Sequence, residues 1–219
     1  MVALALYSKC ITVAEAILVL VDAGYGDEAF GMTRTLVDIF ITLHYIANND
    51  TEARAKRYAQ FSAKDSQVWS EVTKIYWPQN VRPLDPTTKR LAAGYRSPHK
   101  WADCTAKDMA LEPDTAEVDP ATGKPAVHDF AYRVIYRWTS HYVHPTIGAL
   151  ENHLVQAGRD NFVVRQGDGP DMCHLTIFNV ASFTVNTLVC FFRCMGDPQP
   201  PRISKWGIAL VTHIARRHS

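Results

Sequence analysis

The chain has 219 residues, of which 47% are hydrophobic and 21% are charged, and its formal net charge at pH 7 is +1. These proportions are ordinary for a soluble globular protein with a substantial core, and the length favours a single domain. The nearly balanced charge excludes attraction to nucleic acid or to an anionic membrane through net charge alone. Any such partner has to use a local patch.

The cysteines and the N-terminus bear on the compartment. No Cys-x-x-Cys pair occurs, which favours reduced thiols packed as small hydrophobic residues in a cytoplasmic protein. The N-terminus lacks a secretory pattern, and the apolar run 11–21 contains Glu15 and is too short to span a bilayer. We therefore expect a cytoplasmic protein with no membrane partner. The five cysteines are Cys10, Cys104, Cys173, Cys190 and Cys194.

The first third of the sequence predicts three long helices joined by short turns. Residues 3–23 have a helical apolar period and stop at Gly24. Asp27 is a suitable N-cap for a second helix over 28–48, which is apolar on nearly all sides and therefore central. A third helix follows over 51–76. This pattern is typical of an antiparallel helical bundle.

The next segment, 77–125, holds seven of the twelve prolines. Pro86 begins a short predicted helix over 86–93, and Thr105 opens a capping box for another. Residues 112–124 are polar and punctuated by proline, which predicts a loop. We interpret 77–125 as an insertion or lid within one domain over 1–219, because it has too few apolar residues for its own core.

A central helix is predicted over 126–143. It ends before Pro145, because helical geometry is disfavoured for the residue that precedes a proline. A further helix is predicted over 146–157. The runs 162–166 and 173–177 flank a turn and form either a small β-hairpin or the start of the next helix.

A strongly apolar helix is predicted over 178–195. Residues 197–219 are a proline-containing C-terminal extension with a short helix over 203–214 and a basic end. The expected fold class is all-α, a helical bundle with a proline-rich insertion and at most one small β-hairpin.

The predicted central helix carries an unusual basic stripe. Arg133, Arg137 and His141 recur at every fourth position, and Arg137, Ser140 and His144 step by three and four, so each set lies along one helix face. Burying unpaired charge is costly, so the stripe needs an explanation. On the second helix, Arg34 and Asp38 form an i,i+4 pair that we expect to face inward and to serve specificity or a site.

Three interpretations of the stripe compete. The first is a metal site, with His141 and His144 joined by His153 or His128, although no His-Glu-x-x-His pattern occurs. The second is metal-free cleavage of RNA, in which a histidine moves protons, an arginine stabilises the phosphate, and nearby Tyr132, Tyr136 and Trp138 stack on bases. The third is structural, since cations near a helix C-terminus complement its dipole. Spacing alone does not separate them.

Several segments together resemble a bacterial all-helical family known only as a domain of unknown function, over most of residues 1–195. Asp38 stands where that family usually has Glu. The segments are Ala23-Gly-Tyr-Gly-Asp-Glu-Ala29, Arg34-Thr-Leu-Val-Asp38, Leu43-His-Tyr-Ile46, Trp101 with Thr105-Ala-Lys-Asp-Met-Ala110, and Tyr136-Arg-Trp-Thr-Ser-His-Tyr-Val-His-Pro145.

That family is similar in turn to HEPN domains, whose nuclease members carry Arg, four to six residues, then His. Arg137 and His144 fit with six intervening residues. HEPN nucleases usually have a polar residue directly after the Arg, where this chain has Trp138, and many HEPN-like domains are inactive binding modules.

The resemblance implies a HEPN-like metal-independent ribonuclease of a toxin or phage-defence system, acting as a homodimer without a cofactor. His144 would be the general acid/base and Arg137 the phosphate ligand, supported by Ser140 and His141. RNA is the expected substrate, and an antitoxin or another protein is a further expected partner. The substrate contacts would be Arg133, Tyr136, Arg34 and Asp38. The alternative is a non-catalytic nucleotide- or protein-binding module in which the same residues form a structural polar network with Arg34 and Asp38.

Overall fold

Helix α2 (Gly26–Asn48) forms the centre of the fold, with α1 (Val2–Asp22) and α8 (Pro170–Cys194) packed against it. The fold is all-α, as the sequence predicted, with two short antiparallel strand pairs added. The computed structural model describes residues 1–112, 114–118, 125–126, 131–144, 153–157, 159, 161–164 and 170–197.

The side chains of α2 explain its central position, because apolar residues occupy nearly every side of the helix. Gly24, with φ of +83°, follows α1 in the left-handed conformation that glycine adopts without strain, which confirms the predicted stop. The largest fully buried side chains of α2 include Phe30, Leu36, Val37, Phe40, Ile41, Leu43, His44 and Ile46.

The prediction that Asp27 caps α2 is wrong. The helix begins at Gly26, and Tyr25 holds the cap position without a side-chain hydrogen bond. Asp27 lies inside the first turn and is only 4% exposed, with its Oδ2 3.8 Å from His153 Nε2. The carboxylate still lies at the positive end of the helix dipole, where negative charge is favoured.

The predicted third helix is divided into α3 (Thr51–Gln60) and α4 (Ser62–Tyr76) at Phe61. The Phe61 ring packs edge-on against Tyr95, with 5.2 Å between ring centroids. Only Ala63 of α4 is buried, and the contacts of α4 are mainly with α3, with the 3-10 turn Pro78–Asn80 and with α5 (Pro86–Ala93). We name residues 62–93 the arm, because α4 and α5 pack on each other more than on the central helices.

Both predicted short helices of the proline-rich segment are present. In α5, Asp85 Oδ1 accepts hydrogen bonds from the backbone N–H groups of Thr87 (2.9 Å) and Thr88 (3.0 Å). In α6 (Ala106–Leu111), Thr105 and Asp108 form the complete capping box that the sequence predicted.

The predicted loop 112–124 is wrong in part. Residues Asp114–Val118 (β1) pair antiparallel with Pro125–Ala126 (β2). The strand β2 also contradicts the prediction that the central helix begins at residue 126. A two-residue strand is too short to leave an alternating pattern, and proline is tolerated where a strand begins.

Side chains of α2 and α3 anchor the segment before β1. The Trp101 ring lies edge-on to Tyr45 and to Tyr58, with centroid distances of 5.7 and 5.1 Å. Arg57 Nε donates to the Trp101 carbonyl oxygen at 2.9 Å. Arg54 donates from both terminal nitrogens to the two carboxylate oxygens of Glu112, at 2.9 Å each.

The central helix has two parts, a π-helix over Ala131–Tyr136 and the α-helix α7 (Arg137–Val143). His144 is extended, with φ of −107° and ψ of 141°, which confirms the end predicted from Pro145. The wider π turn was not predicted, because i→i+5 bonding leaves no clear signature in residue type.

For the runs 162–166 and 173–177, the predicted alternative of a helix start is correct for the second run, and the first run forms a hairpin with a different partner. Residues Phe162–Val164 (β4) pair with Leu154–Gln156 (β3), and the run 173–177 lies inside α8. The predicted helix 146–157 is therefore wrong at its end, and residues 145–152 lie outside the described part. Three-residue strands are too short for periodicity to separate from helix. The predicted last helix, 203–214, also lies outside the described residues.

Two helices, α1 and Met172–Cys194 of α8, are long and apolar enough to cross a membrane by length and composition. Each is longer than the apolar run 11–21, which the sequence analysis found too short to span a bilayer. Both also pack against α2, as the core helices of globular proteins do. The cytoplasmic location and the absence of a membrane partner therefore stay predictions.

None of the five cysteines, all of which lie in the described residues, forms a disulfide, which agrees with the prediction of reduced thiols. Burial raises the pKa of the Cys10 thiol, and it raises the pKa of Cys194 to about 11. Because the thiolate is the reactive form, these two side chains are neutral packing groups at physiological pH.

Candidate functional site

Arg34 is the centre of a polar network between α2 and α7, which we name the Arg34 cluster (Arg34, Asp38, Tyr136 and Ser140). Arg34 Nε donates to Asp38 Oδ2 at 3.2 Å, and Nη1 donates to Ser140 Oγ. The guanidinium carbon lies 3.2 Å from the centroid of the Tyr136 ring, an attractive cation–π arrangement. Ser140 Oγ donates in turn to the Tyr136 carbonyl oxygen. Four of the residues singled out from the sequence thus lie together.

The Arg34 cluster is only partly shielded from solvent, since the side chains of Arg34 and Asp38 are 21% and 48% exposed. Burial raises the pKa of Asp38 above its usual range, although the charge of Arg34 opposes this. Burial also raises the pKa of Tyr136, and the negative charge of Asp38 adds to the effect. A single-bonded pair in this setting contributes little stability. The contact that bears on the position of α7 is the hydrogen bond from Arg34 to Ser140.

Aromatic packing holds α7 against α2 beside the Arg34 cluster. The buried Phe30 ring meets Trp138 and Tyr142 edge-on, with centroids 5.2 and 5.0 Å apart. At Gly31 the helices approach closely, since a Cβ there would lie 3.5 Å from Tyr142 Cβ, an ordinary contact distance. Trp138, the residue that departs from the HEPN pattern, is therefore a packing residue that remains 41% exposed.

The opposite side of the same helix is open. We name Arg133, Arg137, His141 and His144 the outer row, and all four are exposed. Among the described residues, Arg137 and His144 have no side-chain hydrogen bond or ion pair. Their guanidinium and imidazole groups are therefore open to a ligand. The inward side is buried and consists of Ala131, Ile135 and Thr139.

The geometry divides the predicted site residues into two groups. Arg133, Arg137 and His141 share the exposed side, as their spacing predicted. In the second predicted set, Ser140 turns inward to Arg34, whereas Arg137 and His144 face solvent. Three of the four catalytic candidates, Arg137, His141 and His144, are therefore separate from the Arg34 cluster, whereas Ser140 belongs to it.

The metal interpretation gains nothing from the geometry. His153 lies beside Asp27, and His128 is outside the described residues. Within the described part of the chain, no three His, Cys, Asp or Glu side chains are grouped so that they could hold a metal ion. Nothing in that part brings a third ligand to His141 and His144.

Sequence reasoning missed the packing of Phe30 with Trp138 and Tyr142. The i,i+4 spacing of Trp138 and Tyr142 was the available signal, because two aromatic rings on one helix face indicate an apolar partner opposite them. Their partner on α2 is distant in sequence and left no comparable mark.

Comparison with known proteins places most of the chain in one family. Residues 1–162 match a family described as of unknown function, and this stretch includes the Arg34 cluster and the outer row. No curated protein and no solved structure matches the chain. The expected membership of an uncharacterised family is confirmed, since the match spans well over half of the 219 residues. The chain belongs to the family of unknown function DUF5677.

Proposed function

We propose that this protein is a HEPN-like metal-independent ribonuclease in which His144 transfers protons and Arg137 stabilises charge on the phosphate. The observation that carries the proposal is the openness of these two side chains, one at the first residue of α7 and the other directly after its last residue. The match of Arg137 and His144 to the Arg-x6-His pattern of HEPN nucleases supports it.

The chemistry needs little beyond these groups. A histidine removes the proton of the RNA 2′-hydroxyl, O2′ attacks the adjacent phosphorus, and the bond from phosphorus to the 5′-oxygen breaks. The departing 5′-oxygen takes a proton from a second acid, which leaves a 2′,3′-cyclic phosphate and a 5′-hydroxyl. Arginine suits the intermediate charge, because its planar fork matches two phosphate oxygens.

One copy of the chain supplies an incomplete site. Arg137 and His144 are seven residues apart, a rise of about 10 Å along a helix axis, which separates the cation from the base. In a two-fold symmetric dimer with two outer rows facing each other antiparallel, Arg137 of one copy lies opposite His144 of the other. Such a homodimer also supplies two histidines, one for each proton transfer.

Exposed apolar side chains beside the outer row support this dimer. Val134, Trp138 and Val143 are 39%, 41% and 53% exposed, which is unusual for large apolar residues on a helix that packs against a core. A second copy would cover them, and aromatic residues such as tryptophan are enriched at interfaces.

Within this proposal the Arg34 cluster has a positioning role. Arg34, on α2, donates to Ser140 and lies over the Tyr136 ring, so the register of α7 on α2 depends on it. The predicted roles of Ser140 as a catalytic support and of Arg34, Asp38 and Tyr136 as substrate contacts then reduce to orienting the helix that carries Arg137 and His144.

The proposal is tested by RNA cleavage with purified full-length protein in the presence of a chelator. We expect His144→Ala to lower the cleavage rate by about 10²–10⁴-fold and Arg137→Ala by about 10²-fold. Both variants should melt close to the wild-type temperature, because the two side chains are exposed. Matched controls are His99→Ala and Arg96→Ala, exposed residues outside the site. A substrate with 2′-deoxyribose at the cleaved position should resist.

Full activity of His144→Ala, or loss of wild-type activity on chelation, would contradict the mechanism. RNA retention without cleavage, weakened by Arg133→Ala and Arg137→Ala, would favour the alternative of a non-catalytic binding module. The hydrogen bonds that the Arg34 cluster makes within the fold are the observation that favours this alternative.

The toxin or phage-defence role is tested in cells. Expression of the wild-type chain should arrest bacterial growth, whereas expression of His144→Ala to the same level should not. Unchanged growth with active enzyme in the lysate would argue against a toxin, unless a co-expressed antitoxin or other protein partner is isolated with it.

A further inference from the structure

The arm contains a cavity that belongs neither to the Arg34 cluster nor to the outer row. It lies between α4 and α5 and has a volume of about 370 Å³, within the range of pockets that hold small molecules. Leu84, Ala93 and the buried Tyr95 supply its apolar wall.

The charged residues that line the cavity are mostly cationic. Lys64 and Lys74 reach it from α4 and Lys89 reaches it from α5, whereas Glu71 is the single acidic residue among the described residues of the lining. The formal balance is +2. None of the three lysines takes part in an ion pair within the described part of the chain. Like charges around a shared space repel, and an anion between them would relieve that cost.

The Glu71 carboxylate already accepts a hydrogen bond within a row of three side chains on α4. Lys64 Nζ donates to Gln67 Oε1 at 3.1 Å, and Gln67 Nε2 donates to Glu71 Oε1 at 3.1 Å. Glu71 is thus tied to a neutral amide, and Lys74 and Lys89 keep all their donor hydrogens for a ligand.

We infer that this cavity between α4 and α5 binds a small phosphate-bearing anion of nucleotide size. Lys64, Lys74 and Lys89 surround the phosphate, and the wall of Leu84 and Ala93 contacts the remainder of the ligand. Lysine ammonium groups bind phosphate as point charges, without the fixed geometry of an arginine fork. The phosphate belongs either to a free nucleotide or to the 5′ end of an RNA, and the experiment separates these sources.

The test is isothermal titration of the full-length protein with adenosine, AMP and ATP at constant ionic strength. We expect AMP and ATP to bind and adenosine to fail. The variant Lys64→Gln/Lys74→Gln/Lys89→Gln should lose at least ~10-fold in affinity. The matched control is Lys9→Gln/Lys56→Gln/Lys107→Gln, which removes the same charge from exposed lysines elsewhere and should keep wild-type affinity. Glu71→Gln should bind ~2–5-fold more tightly, because it removes the only negative charge from the lining.

A second titration uses short 2′-O-methyl RNA, which has no 2′-hydroxyl nucleophile, with and without a 5′-phosphate. Binding that requires the 5′-phosphate, in the absence of nucleotide binding, identifies an RNA end as the ligand and supports the site. Equal losses of affinity in the cavity triple variant and in the control triple variant would overturn the proposed site, because they would indicate a general attraction to positive charge. Equal binding of adenosine and AMP, or no binding of any probe, would overturn it as well. The cavity site does not depend on the proposed ribonuclease, since no residue is shared.

Discussion

Two arginines in this fold each lie over a tyrosine ring beside a carboxylate, yet they are held differently. Arg54 meets both oxygens of Glu112 through two bonds of 2.9 Å, and its guanidinium carbon lies 3.7 Å from the Tyr45 ring centroid. Arg34 meets one oxygen of Asp38 through a single bond of 3.2 Å. The two arginines are similarly shielded, with side chains 17% (Arg54) and 21% (Arg34) exposed, but their carboxylates differ: Glu112 is 22% exposed and Asp38 is 48% exposed.

The difference separates a structural contact from a positioning contact. Arg54 and Glu112 are 58 residues apart, so their pair closes a long loop and fastens the segment after α6 onto α3. Arg34 and Asp38 are four residues apart on one helix, and their pair closes no loop. The long-range contact of Arg34 is instead to Ser140, on the helix that carries the outer row. We therefore expect Arg54 to matter mainly for stability and Arg34 mainly for activity.

The largest effect on stability should come from Arg54→Ala. It leaves Glu112 partly buried without its partner and removes the stacking on Tyr45, which should lower the free energy of unfolding by about 2–3 kcal/mol. Urea denaturation measures the loss, and Arg90→Ala, an exposed arginine, is the control. A double variant with Glu112→Ala should lose less than the two single variants together. Additive losses would show that the pair does not interact.

A smaller loss of stability, about 1–2 kcal/mol, is expected for Arg34→Ala. If the proposed function holds, cleavage should fall by ~10-fold or more in protein that is still folded, because α7 loses its positioning contact and small misplacements are costly for catalysis. Arg54→Ala should keep its activity per folded molecule. Activity that falls only with the folded fraction in Arg34→Ala would remove the distinction between the two arginines.

The smallest effect concerns pH and Asp38→Asn. Because the folded state raises the pKa of Asp38, the folded protein binds this proton more tightly than the unfolded chain does. Protonated Asp38 therefore stabilises the folded state. This contribution is complete at pH values below the usual pKa of aspartate, and it is lost as the pH rises through the raised pKa of Asp38. As the pH rises from about 3 to 7, the free energy of unfolding measured in urea should therefore fall in the wild type relative to the Asp38→Asn variant. The change is small, since Asp38 is half exposed. The opposite slope would show that pairing with Arg34 outweighs burial.

Local signals in the sequence were sufficient for much of the fold. Gly24 ended α1, Pro86 began α5 and Thr105 capped α6, because each of these residues acts through its own backbone or its nearest hydrogen bonds. The strands β2 and β3 were missed, since two or three residues carry no measurable period.

The candidate site was predictable to a similar extent. The pairing of Arg34 with Asp38 and the shared side of Arg133, Arg137 and His141 followed from helical spacing, whereas the expected inward orientation of the pair is met only in part, since Asp38 is 48% exposed. The contact of Arg34 with Ser140 spans 106 residues, and that of Arg54 with Glu112 spans 58. No local pattern encodes which distant side chain completes such a contact, because tertiary packing decides it.

The π-helix before α7 has a consequence for the direction of the outer row. Along an α-helix, each step of four residues overshoots a full turn by about 40°, so a row at this spacing drifts around the axis. A π turn holds more residues, so the same step falls short. The step from Arg133 to Arg137 crosses the π turn, and the step from Arg137 to His141 follows the α-helix, so the two deviations oppose each other. The change of winding therefore keeps the backbone positions of Arg133, Arg137 and His141 closer to one line along the helix axis than an uninterrupted α-helix would. In the proposed ribonuclease, a line of this kind would suit the regular spacing of phosphates along one strand.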